Sequence, residues 1–389
     1  MNTLLPTDEA GIVAAITAAH AAREPLAIEG RGTKRAMLRP VQAARSLSTR
    51  LLTGITLYKP SELVISARAG TPIAEIEAAL AEKGQQIIAE PPDFRALFGA
   101  TEGPSLGGIT ASNLSGPRRI TWGAMRDHVL GIRAVRGDGE VFRSGGRVLK
   151  NVTGLDLCKL LCGSHGTLGV LTEITFKVLP QPEESATLAV DVADIASGIG
   201  VLSAGLGSPY GVSGAAILLQ GSAITALLRL EDFAESVAYR MARLREDLAP
   251  LGAARRLDAE EGLATWRAVR DATALGATPD EAVWRLSLPP SAAPAACAAL
   301  AGFRLMLDWG GGLIWVAGPA TETAHATVMA AAQAGGGGSF TLFRAPDSLR
   351  GAVPVVPAEP PALAAIAARV KAVMDPEGIL NPGRIRLGA

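Results

Sequence analysis

Apolar residues recur along this chain with two different periods, and the switches between them mark its elements. Ile12, Val13 and Ile16 share one helical face; Thr7 or Asp8 can cap that helix, and it ends near Arg23 and Pro25. Residues 25–29 then read as a short strand. Segments 54–58 and 63–67 alternate as strands about Lys59-Pro60, and Thr71-Pro72 opens a helix with Ile73, Ile76 and Leu80 inward and Gly84 as its stop. Segments 128–136 and 140–144 flank Gly137-Asp138-Gly139, a hairpin signal. From Leu168 the even positions Leu168, Val170, Thr172, Ile174, Phe176 and Val178 form one face of a strand, while Glu173, Thr175 and Lys177 take the other.

Beyond Ser185 the pattern changes. The spacing predicts strand 186–192, helix 194–204, strands 213–219 and 223–230, and a long helix over 232–248 with Phe233, Val237, Met241, Leu244 and Leu248 in one stripe. After Trp266 the order recurs: strand 283–288, helix 292–301, strands 303–308 and 312–317, helix 321–334, strand 339–344. Two β-α-β-β-α-β halves would merge into one antiparallel sheet. A Pro-rich link over 346–361 leads to a final helix at 362–374.

Between the periodic segments lie turns of small residues. Glycines at 103, 107, 108 and 116, with hydroxyls between them, let main-chain N–H groups approach a bulky anion. Gly30-Arg31-Gly32-Thr33-Lys34 is a second such turn, with Thr33 and Lys34 as further donors. In a chain with 44 glycines, a tight structural turn is the competing reading of each. A dinucleotide fingerprint would need glycine where Arg35 stands, no Gly-Lys pair forms a P-loop, and H-E-x-x-H is absent. Gly103-Pro-Ser105-Leu-Gly107 matches G-x-S-x-G, but no apolar strand precedes it and Gly107-Gly108 is a poor helix start.

Charge and composition narrow the classes. Thirty-seven Lys and Arg balance thirty-seven Asp and Glu over 389 residues, so no long-range field draws the chain to nucleic acid or an anionic membrane. No apolar run approaches the roughly 20 residues of a membrane helix. Asp8 and Glu9 stand where a signal peptide needs its apolar run, which points to a cytoplasmic protein. Cys158, Cys162 and Cys297 fit a reducing compartment; with only His165 nearby, the first two read as buried packing residues rather than a metal site.

Read in order, Gly30-Arg-Gly-Thr, Ala69-Gly-Thr-Pro, Pro91-Pro-Asp, Gly107-Gly-Ile-Thr-Ala-Ser-Asn-Leu-Ser-Gly, Lys150-Asn-x-x-Gly-Leu-Asp-Leu, Gly163-Ser-x-Gly-Thr-Leu-Gly-Val-Leu-Thr-Glu and Asp375-Pro-Glu-Gly-Ile-Leu-Asn-Pro-Gly-Arg form a set. The set resembles the FAD-binding proteins of the vanillyl-alcohol-oxidase (PCMH) type, and among them the FAD-binding subunits of bacterial glycolate oxidase. The resemblance implies an α+β fold: a two-subdomain PCMH-type FAD domain over 1–182, an antiparallel-sheet cap over 183–345, and a C-terminal segment, 346–389, returning to the FAD domain. It implies noncovalent FAD held by Gly30, Arg31, Gly32, Thr33 and Lys34, by Pro92 and Asp93, and by Gly107, Gly108, Thr110, Ala111, Asn113, Ser115 and Gly116. Arg118, Gly123, Gly166, Gly169 and Val170 complete that set, with Asn381 at the isoalloxazine end.

The same resemblance implies a glycolate (2-hydroxy acid) dehydrogenase complex with a larger FAD-binding paralogue and an iron–sulfur subunit, membrane-associated only through those partners. This chain would oxidise glycolate to glyoxylate, or relay electrons. A purely structural FAD module and an autonomous FAD-dependent alcohol oxidase are the alternatives. Oxidising a 2-hydroxy acid needs a base and a cation for the carboxylate. His20, His128 and His325 read as surface or packing residues, and His165 as a flavin contact rather than a base. Related hydroxyacid oxidases carry a histidine-and-carboxylate metal site in the cap, where this chain has the single His325, so no metal is expected. Cations are plentiful: Arg118, Arg119 and Arg126 follow the central loop, and Arg267, Arg270, Arg285, Arg304 and Arg344 lie in the cap. Trp284-Arg285 and Asp308-Trp309 stand out against 4% aromatics, as a flavin-facing surface or a subunit contact.

Overall fold

The computed structural model describes residues 2–146, 155–334 and 337–386. The expected Lys150-Asn-x-x-Gly motif lies outside the described residues as far as Gly154. Two compact units form. The first comprises Met1–Ser115, Gly123–Gln181 and Ala358–Ala389, and the second Gly116–Trp122 and Pro182–Pro357.

The first unit starts from the helix Glu9–Ala22. Asp8 caps it, accepting from the Gly11 N–H at 2.8 Å, and Ile12, Ile16 and Ala19 are buried. They pack with Leu26, Leu47, Val135, Val170, Ile379 and Leu380, side chains whose burial contributes roughly 1.5–3 kcal/mol each for the larger ones. Strands Asn2–Leu4, Arg45–Ser48 and Leu26–Glu29 make a parallel sheet in that order. Leu380 extends it as a parallel bridge to Leu26. A second, antiparallel sheet runs Ile55–Lys59, Val64–Arg68, Val170–Lys177, Val129–Val135, Val141–Gly145. In Val170–Lys177 the even positions are buried as the alternation requires.

The second unit is one eight-stranded antiparallel sheet. Its order is Ala254–Arg256, Glu184–Val192, Ala223–Asp232, Val212–Gln220, Arg304–Asp308, Leu313–Gly318, Ala282–Ser287, Ser339–Arg344. The two halves join where Ile217 and Leu218 pair with Leu307 and Met306. Each half has the expected β-α-β-β-α-β order, with helices Ile195–Gly207 and Ala234–Leu248 in one, and Ala293–Ala298 and Glu322–Gln333 in the other. Strand Ala254–Arg256, which completes the first half, and helix Ala259–Arg270 were not revealed by periodicity. Phe233 departs from its expected stripe: it is the N-cap, with extended backbone, and is 67% exposed.

Candidate functional site

Several of the small-residue turns meet in the first unit. Leu106 N–H donates to Thr71 O at 2.9 Å, Gly107 N–H to Ala69 O at 2.7 Å, and Ile73 N–H to Pro104 O at 2.9 Å, so segment 104–107 is zipped to 69–73. A Cβ on Gly107 would lie 2.8 Å from Ala69 Cβ, and one on Gly30 would collide with Ser105 Oγ. These two glycines are therefore required where chain passes against chain, a different reason from clearing room for an anion. Gly108 does face a cation: its Cβ position lies 3.4 Å from Lys34 Nζ.

Gly107 and Gly108 also start a helix, contrary to expectation. Ser105 caps Leu106–Ser112 through the Gly108 N–H, Leu106 and Ile109 are buried, and Ser112 Oγ donates to Gly108 O at 2.5 Å. The Ser105 hydroxyl is thus a cap, not a nucleophile. Asn113 ends the helix in the left-handed region, φ 48°, and its Oδ1 accepts from Arg126 N–H at 3.0 Å. Ser115 Oγ accepts from Met125 N–H at 2.9 Å.

The turn after Leu161 docks on this helix. Gly163 N–H donates to Thr110 O at 3.3 Å and His165 N–H to Ala111 O at 2.8 Å. Gly169 packs on Val135 O, and the Val170 side chain is in the core, so of Val170 the backbone alone could meet a ligand. Gly123, at φ 87°, sits against the Asp127 carboxylate.

Asn381 closes the arrangement. Its Oδ1 accepts from Ile28 N–H at 2.7 Å, and its Nδ2 donates to Ile28 O at 3.1 Å and His165 O at 2.8 Å. Both Nδ2 hydrogens are engaged and the residue is 3% exposed, so it clasps the strand Leu26–Glu29 to the 163–169 turn instead of presenting an amide to a flavin ring. Gly166 is needed beneath it: a Cβ there would lie 2.9 Å from Asn381 Nδ2.

The region is electropositive. Burial lowers the Lys34 ammonium to about 8, an effect that Asp93 opposes and Arg384 reinforces. Lys34 Nζ donates to Thr33 Oγ1 at 3.3 Å. Arg384, whose role the sequence did not signal, donates to Lys34 O at 2.8 Å, Arg39 O at 3.1 Å and Arg35 O at 3.2 Å, fixing the turn. Burial, then Arg384 and Lys34, press the His165 imidazole down to about 3. Thr33, Lys34, Pro92, Asp93, Phe94, Arg95 and Pro104 line a cleft. Asp93 holds Arg95 there, accepting from its Nε at 2.7 Å. Arg31 is paired with Glu102 at 3.1 Å, which lowers its value as a free donor.

Thr110 is fully buried and its Oγ1 has no hydrogen-bond partner among the described residues. Such an orphan costs about 1–3 kcal/mol. Lys34 Nζ, beside Gly108 in the first turn of the helix Leu106–Ser112, and the Thr33 hydroxyl next to it form a donor set that fits a phosphate group.

Two of the expected cofactor residues belong elsewhere. Gly116 and Arg118 lie in the segment Gly116–Trp122 of the second unit. Arg118 makes a two-pronged pair with Glu231, 2.9 Å from Nε and 2.6 Å from Nη2, and Glu231 also accepts from Ser213 Oγ at 2.7 Å. Burial would raise the Glu231 carboxyl, but Arg229 and Arg118 hold it at about 2. Arg229 stacks on Trp266 at 4.6 Å. Gly116 O accepts from Trp309 Nε1 at 3.1 Å. Trp309 adopts φ 53°, a conformation costing on the order of 1–3 kcal/mol, and carries the Arg119 guanidinium 4.4 Å above its ring.

His325 and the cysteines are packing residues. His325 Nδ1 accepts from Trp284 Nε1 at 3.0 Å. Burial pushes the Cys162 and Cys297 thiols up to about 12, and Cys158 up as well.

Comparison with known proteins gives a consistent picture. A family described as an FAD binding domain matches residues 2–145. The chain is 36% identical over 365 residues to "Glycolate oxidase subunit GlcE" of Escherichia coli (strain K12), covering 93% of each. It is 31% identical over 183 residues to "Glycolate oxidase subunit GlcD" of Bacillus subtilis (strain 168), covering 47% of this chain and 37% of that one. Among solved structures, p-cresol methylhydroxylase with substrate bound superposes with a TM-score of 0.75 at 14% identity, over 99% of this chain and 88% of the other. 4-Ethylphenol oxidase from Gulosibacter chungangensis gives 0.75 at 14% identity, over 99% and 89%; these two likenesses speak for the fold.

Proposed function

We propose that this chain, which belongs to the family of FAD-binding glycolate oxidase subunits, holds FAD noncovalently in its first unit and serves the oxidation of a small 2-hydroxy acid such as glycolate. The observation that carries the reading is the packing of the Gly30–Lys34 turn and the 163–169 turn on the helix Leu106–Ser112, with the desolvated Lys34 ammonium against Gly108.

FAD, when bound, supplies a two-electron acceptor. The chain's own residues do the rest. Lys34 and Thr33 offer charge and hydrogen bonds to phosphate oxygens, and Arg384 keeps that turn from moving. No His or Cys stands beside Thr33, in keeping with a noncovalent cofactor.

His165 favours a relay role. An imidazole held at about 3 is a poor acceptor for a hydroxyl proton at neutral pH. On this reading a larger FAD-binding subunit oxidises the acid, this chain accepts electrons, and an iron–sulfur subunit carries them on. No helix among the described residues is long and apolar enough to cross a membrane.

The full chain, purified, should hold about one FAD per molecule. Glycolate added without oxygen should bleach the flavin band of the isolated chain if it is an autonomous enzyme, and of the complex alone if it is a relay. A chain that purifies colourless and stays so with added FAD refutes the reading.

A further inference from the structure

The second unit carries a cation for which the described residues provide no ion pair or hydrogen bond. Arg285 lies in the strand Ala282–Ser287. Its neighbour Trp284 points to the helix Glu322–Gln333, where it meets His325, so the alternation of the strand aims Arg285 at the opposite face of the sheet. There the guanidinium carbon lies 4.9 Å from the ring centre of Trp315, its cross-strand partner, 5.2 Å from Trp309 and 5.5 Å from Phe343.

None of these rings supplies a counter-charge. Arg285 Nε is buried without a hydrogen-bond partner, and the residue as a whole is half-buried. Arg118 and Arg229, in the same unit, share the carboxylate of Glu231. For Arg285 the charges that act are Arg119, which repels, and Asp308, whose Oδ1 is already engaged by the Trp309 N–H at 2.7 Å. Burial first, then Arg119, lower Arg285 to about 10, which leaves it charged at neutral pH.

The walls around it are fixed. Trp309 is held at positive φ, its indole N–H is tied to Gly116 O, and the following Gly310 and Gly311 leave no room for a Cβ against Leu206 and Ile199. Rings accept no N–H as a carboxylate does, so a guanidinium set among them keeps its donors, and a planar carboxylate matches that fork.

We propose that Arg285 is a carboxylate-binding residue, and that the pocket it forms with Trp309 and Trp315 takes a small 2-hydroxy or 2-oxo acid. The carboxylate meets the guanidinium edge and the short carbon chain rests on the indoles. The choice of acid rests on the function proposed above; the cation and its aromatic walls do not.

The test is a titration of the full chain with glycolate, and with ethylene glycol as a probe of equal carbon length lacking the carboxylate. Tryptophan fluorescence is the readout, and Trp309→Phe assigns the reporter. Glycolate should give a saturable change that ethylene glycol does not. Arg285→Gln should raise its Kd at least tenfold and Arg285→Lys severalfold, with FAD content unchanged in both; the lysine variant keeps the charge and serves if the glutamine variant fails to fold.

Equal response to the two probes, or wild-type Kd in both variants, overturns the proposal. No saturable change in a wild-type chain that holds FAD sinks this inference and leaves the proposed function standing. Arg285-dependent glycolate binding by a chain that holds no FAD does the reverse.

Discussion

Replacing Asn381 by alanine should cost the first unit more than any other single change near the candidate site. The side chain makes three hydrogen bonds, two to the Ile28 peptide and one to His165 O, and is 3% exposed. At about 1 kcal/mol for each lost bond, and more where the backbone partner stays dry, the loss is roughly 3–4 kcal/mol. Alanine at φ 45° adds about 1 kcal/mol, because asparagine tolerates the left-handed region and alanine does not. The total of roughly 4–5 kcal/mol is a large share of the ~5–15 kcal/mol that holds a domain together. Asn381→Gly loses the same bonds without the backbone penalty, so it should be less damaged than alanine by about 1 kcal/mol. Urea unfolding followed by circular dichroism, with flavin release as a second probe, measures both variants. An alanine variant within ~1 kcal/mol of wild type, or a glycine variant worse than alanine, refutes the clasp.

Three further outcomes follow from the geometry. Glu231 has a folded pKa of about 2, below the ordinary 4.5, so its pairing contributes fully above pH 4.5 and is lost as pH falls towards 2. Glu231→Gln should flatten that acid limb of a stability–pH profile, and Arg118→Met should destabilise by about 3–5 kcal/mol at neutral pH in a denaturant titration. Gly107→Ala forces a Cβ to 2.9 Å from Ala69 O and should destabilise by ~1–3 kcal/mol, whereas Gly103→Ala, with nothing within 4 Å, should melt like wild type. If Lys34 holds the diphosphate as proposed, FAD affinity should decline as pH rises through about 8, and Lys34→Met should bind more weakly without that dependence in a flavin-fluorescence titration.

The larger antiparallel sheets were legible where strands alternate or come as a repeat. Val170–Lys177 announces itself by its even positions, and the two halves of the second unit by their recurring order. Ala254–Arg256 did not, being three residues with two arginines, half-buried to exposed. Phe233 misled because the 3.6-residue spacing continues one position past the start of the helix. In the candidate site, residue types pointed to the right turns but not to their jobs. Gly30 and Gly107 answer to Ser105 and Ala69, contacts no local pattern encodes. Arg118 answers to Glu231, more than a hundred positions away, and Asn381 to Ile28, at a separation of 353.

That last separation bears on how the molecule is made. Until the segment Ile379–Asn381 leaves the ribosome, the edge of strand Leu26–Glu29 and the carbonyl of His165 have no mates, while the strands of the second unit, all within residues 184–344, can already pair. The clasp between strand Leu26–Glu29 and the 163–169 turn therefore closes only after both of the segments it joins have been made.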